Sequence, residues 1–384
     1  MAAEHRDDES SEISEVPFIE ATEHARSEYG RFNLGIIGNS GVGKSSLVNA
    51  VFQRDFAKVG RGLPVTRGVH YYHDKVLGIW DFEGFEIGTA KAPVELLREN
   101  LALIARRPAN EQISVMWYCV NSHADRLHRS EIDMIRELDS ARIPVILVLT
   151  KVDWQKNLFS GGRKPTRDVE MFVEWLNDPR DEHGMPVTVP VHDVVLTSTK
   201  DNRGRDDGHG LGDLVAKTLL LSPENEKDAF RIAQRLNLPW KREMARPIIA
   251  QSTALAAAAA AAPIPIADAI TLAPIQLGMM GRIATIYDLE FKTMLSASAL
   301  AQLSAQITGQ ALVRSLVKVV PGVGSLVNAS VASAVTAAIG EGWMRLCEQV
   351  HTGKIKPDQV EASWRNFAPN AASIIAKLGK RNRT

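Results

Sequence analysis

The sequence predicts an α/β domain, with a mostly parallel sheet flanked by helices, followed by an all-helical domain. From Arg31 to about Leu221, short apolar runs rich in Val and Ile alternate with amphipathic helix-like runs, which is the pattern of a parallel sheet. From Pro247 to Gly340 the chain is rich in Ala, Leu, Ile, Ser and Gly and shows no strand pattern. A chain of 384 residues also has room for two domains.

The candidate elements of the α/β region alternate along the chain. Its strand-like runs are Phe32–Ile37, Val69–His73, Val76–Asp81, Ile113–Val120, Val145–Thr150 and Val191–Leu196. Its helix-like runs are Lys44–Gln53, Val94–Arg106, Ser130–Leu138, Asp168–Trp175 and Leu211–Leu221. We expect a disordered acidic tail and a short leading helix at 1–30, the α/β domain at 31–221, a helical linker at 222–246, the helical domain at 247–350, and a C-terminal helix with a basic tail at 351–384.

Composition narrows the class of protein. Hydrophobic residues make up 45% and charged residues 23%, as in folded globular proteins, and the formal net charge of +0 provides no bulk attraction to nucleic acid or to an acidic membrane. The two cysteines, Cys119 and Cys347, form no CxxC pair, which is typical of reduced thiols in the cytoplasm. Residues 1–15 are polar and contain no apolar run of the signal-peptide type. We therefore expect a cytoplasmic location, with peripheral attachment at the inner face of the cell membrane as an open alternative.

The sharpest motif is the glycine-rich segment 38–45, which fits GxxxxGK[ST] between a predicted strand and a predicted helix. Such a loop wraps a polyphosphate with backbone N–H groups, and the following helix adds unpaired N–H groups and the positive end of its dipole. Lys44 would neutralise β- and γ-phosphate charge, and the Ser45 hydroxyl would bind Mg²⁺. The predicted nucleotide contacts in this loop are Asn39, Ser40, Gly41, Val42, Gly43, Lys44, Ser45 and Ser46.

Two further segments would complete the phosphate side of the site. Asp81 ends a predicted strand and begins a DxxG pattern that ends at Gly84. The aspartate can hold Mg²⁺, usually through water, and the Gly84 N–H can sense the γ-phosphate. Thr66 lies in a polar loop between the two motifs, where its hydroxyl and carbonyl can close over the nucleotide and Mg²⁺. The predicted metal ligands are thus Ser45, Thr66 and Asp81, and the predicted catalytic residues are Lys44, Thr66 and Gly84.

Two later motifs predict which base is bound. Residues 150–153, Thr-Lys-Val-Asp, match the guanine-reading motif, which is usually NKxD. The Asp153 carboxylate would accept hydrogen bonds from guanine N1–H and the 2-amino group, and an adenine base would leave it unpaired. Lys151 can lie over the base, and Thr150 keeps a hydroxyl where the usual asparagine has an amide. After the last strand, Ser198, Thr199 and Lys200 resemble the SAK motif, whose backbone N–H contacts guanine O6.

With these five motifs in order, the region from Arg31 to about Leu221 resembles the translation-factor-related class of GTPases, closest to the Era-like branch and its dynamin-like and immunity-related neighbours. The resemblance implies a GTP hydrolase that uses Mg²⁺ and has low intrinsic activity, because Phe85 stands where Ras-like proteins carry the glutamine that orients the attacking water. It implies that the catalytic group comes from a backbone group, a potassium ion (K⁺) near Asn39, or a partner subunit. We therefore expect activation by an effector or by a homodimer formed through the GTPase face.

The helical region, at about 248–347, resembles a domain of unknown function of the YcjF type that is often fused to Era-like GTPases. The residues that carry the resemblance are 263–268 (PIPIAD), Gln276–Met280 and 321–324 (PGVG). Two uncharged stretches in this region reach the length of a membrane span, but Ala, Ser, Gly and Pro dominate them. We favour a bundle in which small residues let helices approach closely, while conditional membrane association and stable spanning stay open.

Three functional hypotheses follow from these motifs. The first is a regulatory or mechanochemical GTPase switch whose helical domain engages a membrane surface or a self-assembly partner. The second is an RNA or ribosome-assembly GTPase of the Era type, which we rank lower because the second domain shows neither a basic patch nor a GxxG loop with strands. The third is a pseudo-enzyme that binds GTP only as a structural switch, against which Lys44, Ser45, Thr66 and Asp81 argue.

Overall fold

A computed structural model describes residues 16–53, 63–66, 68–83, 92–156, 162–200, 208–261, 272–289, 324–360 and 362–364. The chain divides into two compact units. Tyr29–Asn237 forms the α/β unit, and Met1–Glu28 together with Leu238–Thr384 forms the helical unit. The acidic tail, the PIPIAD segment, the stretch 290–323 and the basic tail lie outside the described residues.

The described helices and strands are numbered along the chain. The strands are β1 (Phe32–Ile37), β2 (Leu63–Thr66), β3 (Val69–His73), β4 (Leu77–Phe82), β5 (Val115–Asn121), β6 (Val145–Thr150), β7 (Trp154–Lys156), β8 (Arg163–Pro165) and β9 (Asp193–Leu196). The helices are α1 (Val16–Tyr29), α2 (Lys44–Phe52), α3 (Pro93–Ile104), α4 (Arg129–Ser140), α5 (Arg167–Asn177), α6 (Leu211–Leu221), α7 (Lys227–Ala233), α8 (Leu238–Ala261), α9 (Leu272–Ile286) and α10 (Gly324–His351).

The predicted strands and helices of the α/β region are confirmed, and their ends differ by at most two residues. Three strands are not predicted by the sequence pattern, namely β2 and the β7–β8 hairpin. They are three or four residues long, too short to show an alternation of apolar and polar residues. Thr66, which we placed in a loop, therefore ends a strand.

The main sheet has seven strands in the order β2-β3-β4-β1-β5-β6-β9. The pairs β4–β1, β1–β5, β5–β6 and β6–β9 are parallel, whereas β3 and β2 are added antiparallel at one edge. All six residues of β1 are buried, which fits its central place in the sheet. Because the carboxyl ends of parallel strands meet at one edge, the loops after β1, β4, β6 and β9 share that edge.

Helix α7 belongs to the α/β unit and not to a linker. The ring of Phe230 on α7 lies 4.7 Å from the ring of Phe32 and 6.2 Å from that of Phe52. All three rings are fully buried, so the residues around Phe230 complete this core. The predicted linker at 222–246 is accordingly shared between the two units, with the division after Asn237.

The helical unit packs α8 against α9 and α10 around a core that includes Trp343 and Trp364. Small residues set two of its close approaches, as the sequence led us to expect. A Cβ atom at Gly281 would lie 2.5 Å from the carbonyl oxygen of Phe18 on α1, and one at Gly340 would lie 2.9 Å from the Ile249 side chain. Helix α1, which we expected to lead into the α/β fold, therefore packs within the helical unit through Phe18.

A membrane span requires both a length of about 20 residues and high hydropathy. Over the residues that the structure describes, no helix is both long enough and apolar enough to cross a bilayer. Within this unit the Arg282 guanidinium on α9 donates to Gln251 Oε1 on α8 at 2.8 Å.

Candidate nucleotide site

The phosphate loop joins β1 to α2 at the centre of the sheet edge. Its first glycine, Gly38, has a φ of +151°, and a Cβ atom there would collide with the carbonyl oxygen of Cys119 on the neighbouring strand. Gly43, directly before α2, has a φ of +110°, which side chains rarely allow. Glycine at these positions therefore lets the backbone curl tightly before the helix begins.

Lys44 closes this loop upon itself. Its Nζ donates a hydrogen bond to the carbonyl oxygen of Gly38 at 2.8 Å, so the ammonium lies across the mouth of the bend. The same lysine lines a cavity of about 470 Å³. The other residues that line this cavity are Gly38, Ser40, Gly41, Val42, Gly43, Ser45, Ser46, Glu83 and Lys151. Backbone N–H groups at a helix N-terminus and a lysine together favour an anion here.

Asp81 provides a carboxylate near this cavity. It lies on β4 opposite Ile36 of β1, close to the end of both strands. Burial raises the pKa of its carboxyl to about 6, although the charge of Lys44 pulls the pKa down in part. Its buried Oδ1 atom accepts no hydrogen bond from any described residue. A buried carboxylate oxygen without a donor fits a hard cation such as Mg²⁺, directly or through water.

The remaining predicted phosphate-side residues are only partly described. Ser45 lines the cavity beside Lys44 and could offer its hydroxyl to the same cation as Asp81. The backbone of Thr66 pairs with Val69 in the sheet, but its side chain lies outside the description. Gly84 and Phe85 also lie outside the described residues. The roles of Thr66 and Gly84 therefore stay predictions.

Thr150 joins segment 150–153, which we predict to read guanine, to the glycine-rich loop. Its buried hydroxyl lies 2.7 Å from the carbonyl oxygen of Val42 in the phosphate loop and 3.1 Å from that of Val120 at the end of β5. Because a hydroxyl can donate to these carbonyls where an alanine could not, threonine at this position braces the loop. The structure thus gives Thr150 a supporting place behind the loop.

The two base-reading loops meet at the same sheet edge. The backbone N–H of Val152 donates to the carbonyl of Thr197 at 3.0 Å, which joins the loop after β6 to the loop after β9. Ser198 in the second loop exchanges backbone hydrogen bonds with His209 at 3.0 and 2.8 Å, and its hydroxyl contacts the Lys200 carbonyl. Segment 198–200 is therefore held beside segment 150–153.

Lys151 lies where segment 150–153 meets the glycine-rich loop. It has a φ of +56° and lines both the phosphate cavity and a neighbouring cavity of about 310 Å³. Asn39 also lines the neighbouring cavity, and it is not among the described residues that line the phosphate cavity. Asp153 follows Lys151 by two residues, and its side chain is 53% exposed. The carboxylate is therefore accessible at the edge where Lys151 meets the phosphate loop.

Sequence reasoning missed His123, which lies beside Asp153, and Asp168, which contacts the other side of the His123 ring. His123 Nε2 lies 3.4 Å from Asp153 Oδ2, and His123 Nδ1 lies 3.0 Å from Asp168 Oδ2. No local motif predicts a role for His123, which lies in the loop after β5, 30 positions before Asp153. Only the folding of the sheet brings the three side chains together.

Comparisons with known proteins agree with the two-part organisation. A family model described as "50S ribosome-binding GTPase" matches residues 33–151, and one described as "Domain of unknown function (DUF697)" matches residues 225–368. No curated protein matches the chain. The chain therefore contains a P-loop GTPase domain followed by a helical domain of unknown function. The first match ends at Lys151, so Asp153 and the loop 198–200 depend on the geometry described above.

Proposed function

We propose that this chain binds GTP with Mg²⁺ and hydrolyses it slowly to GDP and phosphate, as a nucleotide-dependent switch. The observation that carries the proposal is that Lys44 and Lys151, one from each of two distant motifs, line the same 470 Å³ cavity. The match of residues 33–151 to a GTPase family supports the same chemistry. The Era-like branch is our proposal for the subclass, on the sequence resemblance alone.

The phosphate side would act by charge and by fixed N–H donors. Lys44 and the N–H groups at the start of α2 would hold the β- and γ-phosphates, and the ammonium would offset charge that grows on the leaving oxygen. Ser45 and Asp81, with the predicted Thr66, would hold Mg²⁺, which adds positive charge against the phosphates when bound. The curled backbone of the loop supplies this arrangement before the nucleotide arrives, which lowers the reorganisation that binding requires.

The base side would discriminate by hydrogen bonds. The exposed Asp153 carboxylate would accept from guanine N1–H and the 2-amino group, while Lys151 would cover one face of the base. The loop 198–200 would present a backbone N–H to guanine O6. Thr150 would keep the two sides in register, because its hydroxyl contacts the phosphate loop directly.

Calorimetric titration of wild type and Asp153→Asn with GTP, ATP and xanthosine triphosphate, all with Mg²⁺, tests the base assignment. Wild type should prefer GTP over ATP by at least about 100-fold. The variant should bind GTP at least about 100-fold more weakly and xanthosine triphosphate more tightly, because the new amide donates to the xanthine 2-oxygen. Asp133→Asn, at a partly exposed carboxylate of α4 that pairs with Arg136, is the matched control and should change neither affinity. A preference for ATP, or unchanged GTP affinity in the Asp153 variant, would refute the proposal.

The source of the catalytic group is proposed to be a second copy of the chain or an effector. Phe85 has no group that could orient water. The predicted potassium ion depends on Asn39, which lines the neighbouring cavity. Specific GTPase activity measured against protein concentration, in potassium and in sodium, separates these sources. A rise with concentration supports the dimer, a rise with potassium alone supports the ion, and flat activity in both series counts against both.

We propose that the helical domain engages a membrane surface or a self-assembly partner in a nucleotide-dependent way, from a cytoplasmic location. A second candidate is a ribosome-assembly role, which the description of the matching GTPase family favours. Flotation with liposomes and sedimentation with ribosomes, each with GDP and with a non-hydrolysable GTP analogue, distinguish them. Analogue-dependent flotation supports the first role, and analogue-dependent sedimentation supports the second.

A further inference from the structure

The imidazole of His123 lies between two carboxylates that come from different elements. Its Nε2 faces Asp153 Oδ2 at 3.4 Å, after β6, and its Nδ1 faces Asp168 Oδ2 at 3.0 Å, in the first turn of α5. The loop that carries the histidine is itself anchored, because the backbone N–H of His123 donates to Asn121 Oδ1 at 3.2 Å. The ring is therefore held by a hydrogen bond at Nδ1, and its Nε2 lies at ion-pair distance from Asp153.

Asp168 makes the shorter of the two contacts with the ring, a hydrogen bond of 3.0 Å at Nδ1. The pKa of its carboxyl is lowered to about 2, first by the Thr166 hydroxyl and then by His123. It therefore stays ionised and accepts a hydrogen bond from Nδ1–H at neutral pH. Asp153 makes the longer contact, at 3.4 Å, and it follows Val152, whose N–H joins the loop after β6 to the loop after β9. The ring thus connects α5 to Asp153, the carboxylate that we assign to guanine binding.

The hydrogen-bonding capacity of a carboxylate permits this contact and a bound base together. An ionised carboxylate has about four lone-pair positions, of which the histidine takes one, on Oδ2. The others remain for guanine N1–H and the 2-amino group. A carboxylate already held in one rotamer also loses less conformational freedom when the base binds.

We propose that His123, with a proton on each ring nitrogen, is a positioning residue for guanine discrimination: Nε2–H holds Asp153 while Asp168 holds the ring through Nδ1–H. The proposal rests on the GTP-binding function proposed above. It concerns how well the carboxylate is aimed and not whether it is present, so the effect is smaller than that of removing Asp153. Exposed ion pairs of this kind are worth up to about fivefold in an equilibrium constant, and hydrogen bonds to a charged group somewhat more.

Two conservative substitutions separate the two ring nitrogens. The side-chain amide of His123→Gln can place its N–H₂ group near the position of Nε2, so it can still hold Asp153. The shorter amide of His123→Asn reaches only the position of Nδ1, so it can contact Asp168 but not Asp153. His183→Ala is a matched control, because that histidine is 79% exposed and pairs only loosely, at 3.9 Å, with Glu182.

The readout is the ratio of the affinities for GTP and inosine triphosphate, which lacks the 2-amino group. We expect the ratio to fall roughly three- to tenfold in His123→Asn and to stay within about twofold of wild type in His123→Gln and in the control. Thermal unfolding of each variant checks that the fold is kept. A misaimed carboxylate loses the 2-amino contact preferentially, which a general loss of structure would not do.

Two results would overturn the positioning role. One is an unchanged ratio in His123→Asn, and the other is an equal fall in both His123 variants. The proposed function fails separately, since a wild-type protein that prefers neither GTP over ATP nor GTP over inosine triphosphate has no guanine-reading carboxylate to position. A wild-type preference for GTP with no effect of His123→Asn would leave that function intact and remove only the role of His123.

Discussion

The two units use the same side chain, lysine, in opposite ways. In the α/β unit Lys44 donates to the Gly38 carbonyl and lines an open cavity of about 470 Å³. In the helical unit Lys241 is fully buried and its Nζ donates to the carbonyl of Ile286, at the end of α9, at 2.9 Å. One ammonium faces space that a ligand can fill, and the other stabilises the negative end of a helix dipole. The comparison teaches that a lysine indicates a binding site only where its charge faces a cavity.

Glycine shows the same contrast. A Cβ atom at Gly41, in the phosphate loop, would meet no atom within 4 Å, because the loop surrounds a cavity. At Gly281 in α9 a Cβ atom would meet the Phe18 backbone, because the helices touch there. The helical unit therefore uses its small residues for packing. His351 in this unit is also used internally. Its Nδ1 lies 2.8 Å from the carbonyl of Tyr287, directly after α9.

Exchanging each lysine for alanine is expected to have the largest effect and tests the comparison most directly. Lys44→Ala should lower kcat/KM for GTP at least about 100-fold, equivalent to about 3 kcal/mol of transition-state stabilisation, while the nucleotide-free protein keeps its stability within about 1 kcal/mol. Lys241→Ala should lower the free energy of unfolding by about 2–4 kcal/mol, because it leaves a buried carbonyl and a cavity behind. Urea unfolding and steady-state kinetics on both variants check this. A loss of stability without a loss of activity in Lys44→Ala, and the reverse in Lys241→Ala, would contradict the comparison.

Asp81 should give a pH-dependent effect of intermediate size. Burial raises the pKa of its carboxyl from 3.8 to about 6, so the folded state prefers the neutral acid. Its stabilising contribution is complete below about pH 4 and is lost as the pH rises through about 6. Asp81→Asn should therefore be about as stable as wild type at pH 4 and more stable at pH 7, by at most about 3 kcal/mol. Urea unfolding without nucleotide and with a chelator measures this, and a pH-independent difference would contradict the assignment.

A pair of glycines on α9 sharpens the packing side of the comparison. Gly281→Ala should destabilise the protein by about 1–2 kcal/mol, because the new methyl group would lie 2.5 Å from the Phe18 carbonyl oxygen. Gly278→Ala is the matched control, since its nearest neighbour would be the Ala21 Cβ at 3.9 Å, an ordinary contact. That change should stabilise the helix by about 0.5–1 kcal/mol. Thermal unfolding of both variants tests this. If both substitutions raise or both lower the unfolding temperature, the contact with Phe18 does not explain the need for glycine at position 281.

Much of the α/β unit was predictable because its signals are local. Runs of Val and Ile such as Val145–Thr150 reveal buried strands, and the glycines around Lys44 reveal a curled loop, since turn chemistry and hydrophobic periodicity act over a few residues. The helical unit offers weaker signals. Its small residues occur in many kinds of helix, so the sequence predicted close packing without saying which glycine meets which backbone.

The sequence by itself indicated the order of the main helices and strands and the glycine-rich loop, and it predicted that Asp153 reads guanine. Only the tertiary structure decided that His123 lies between Asp153 and Asp168, that Thr150 braces the phosphate loop, and that α1 packs on Gly281. The physical reason is distance along the chain. Contacts between residues that are 30 to 263 positions apart arise when strands take their order in a sheet and helices dock, and no local pattern records that order.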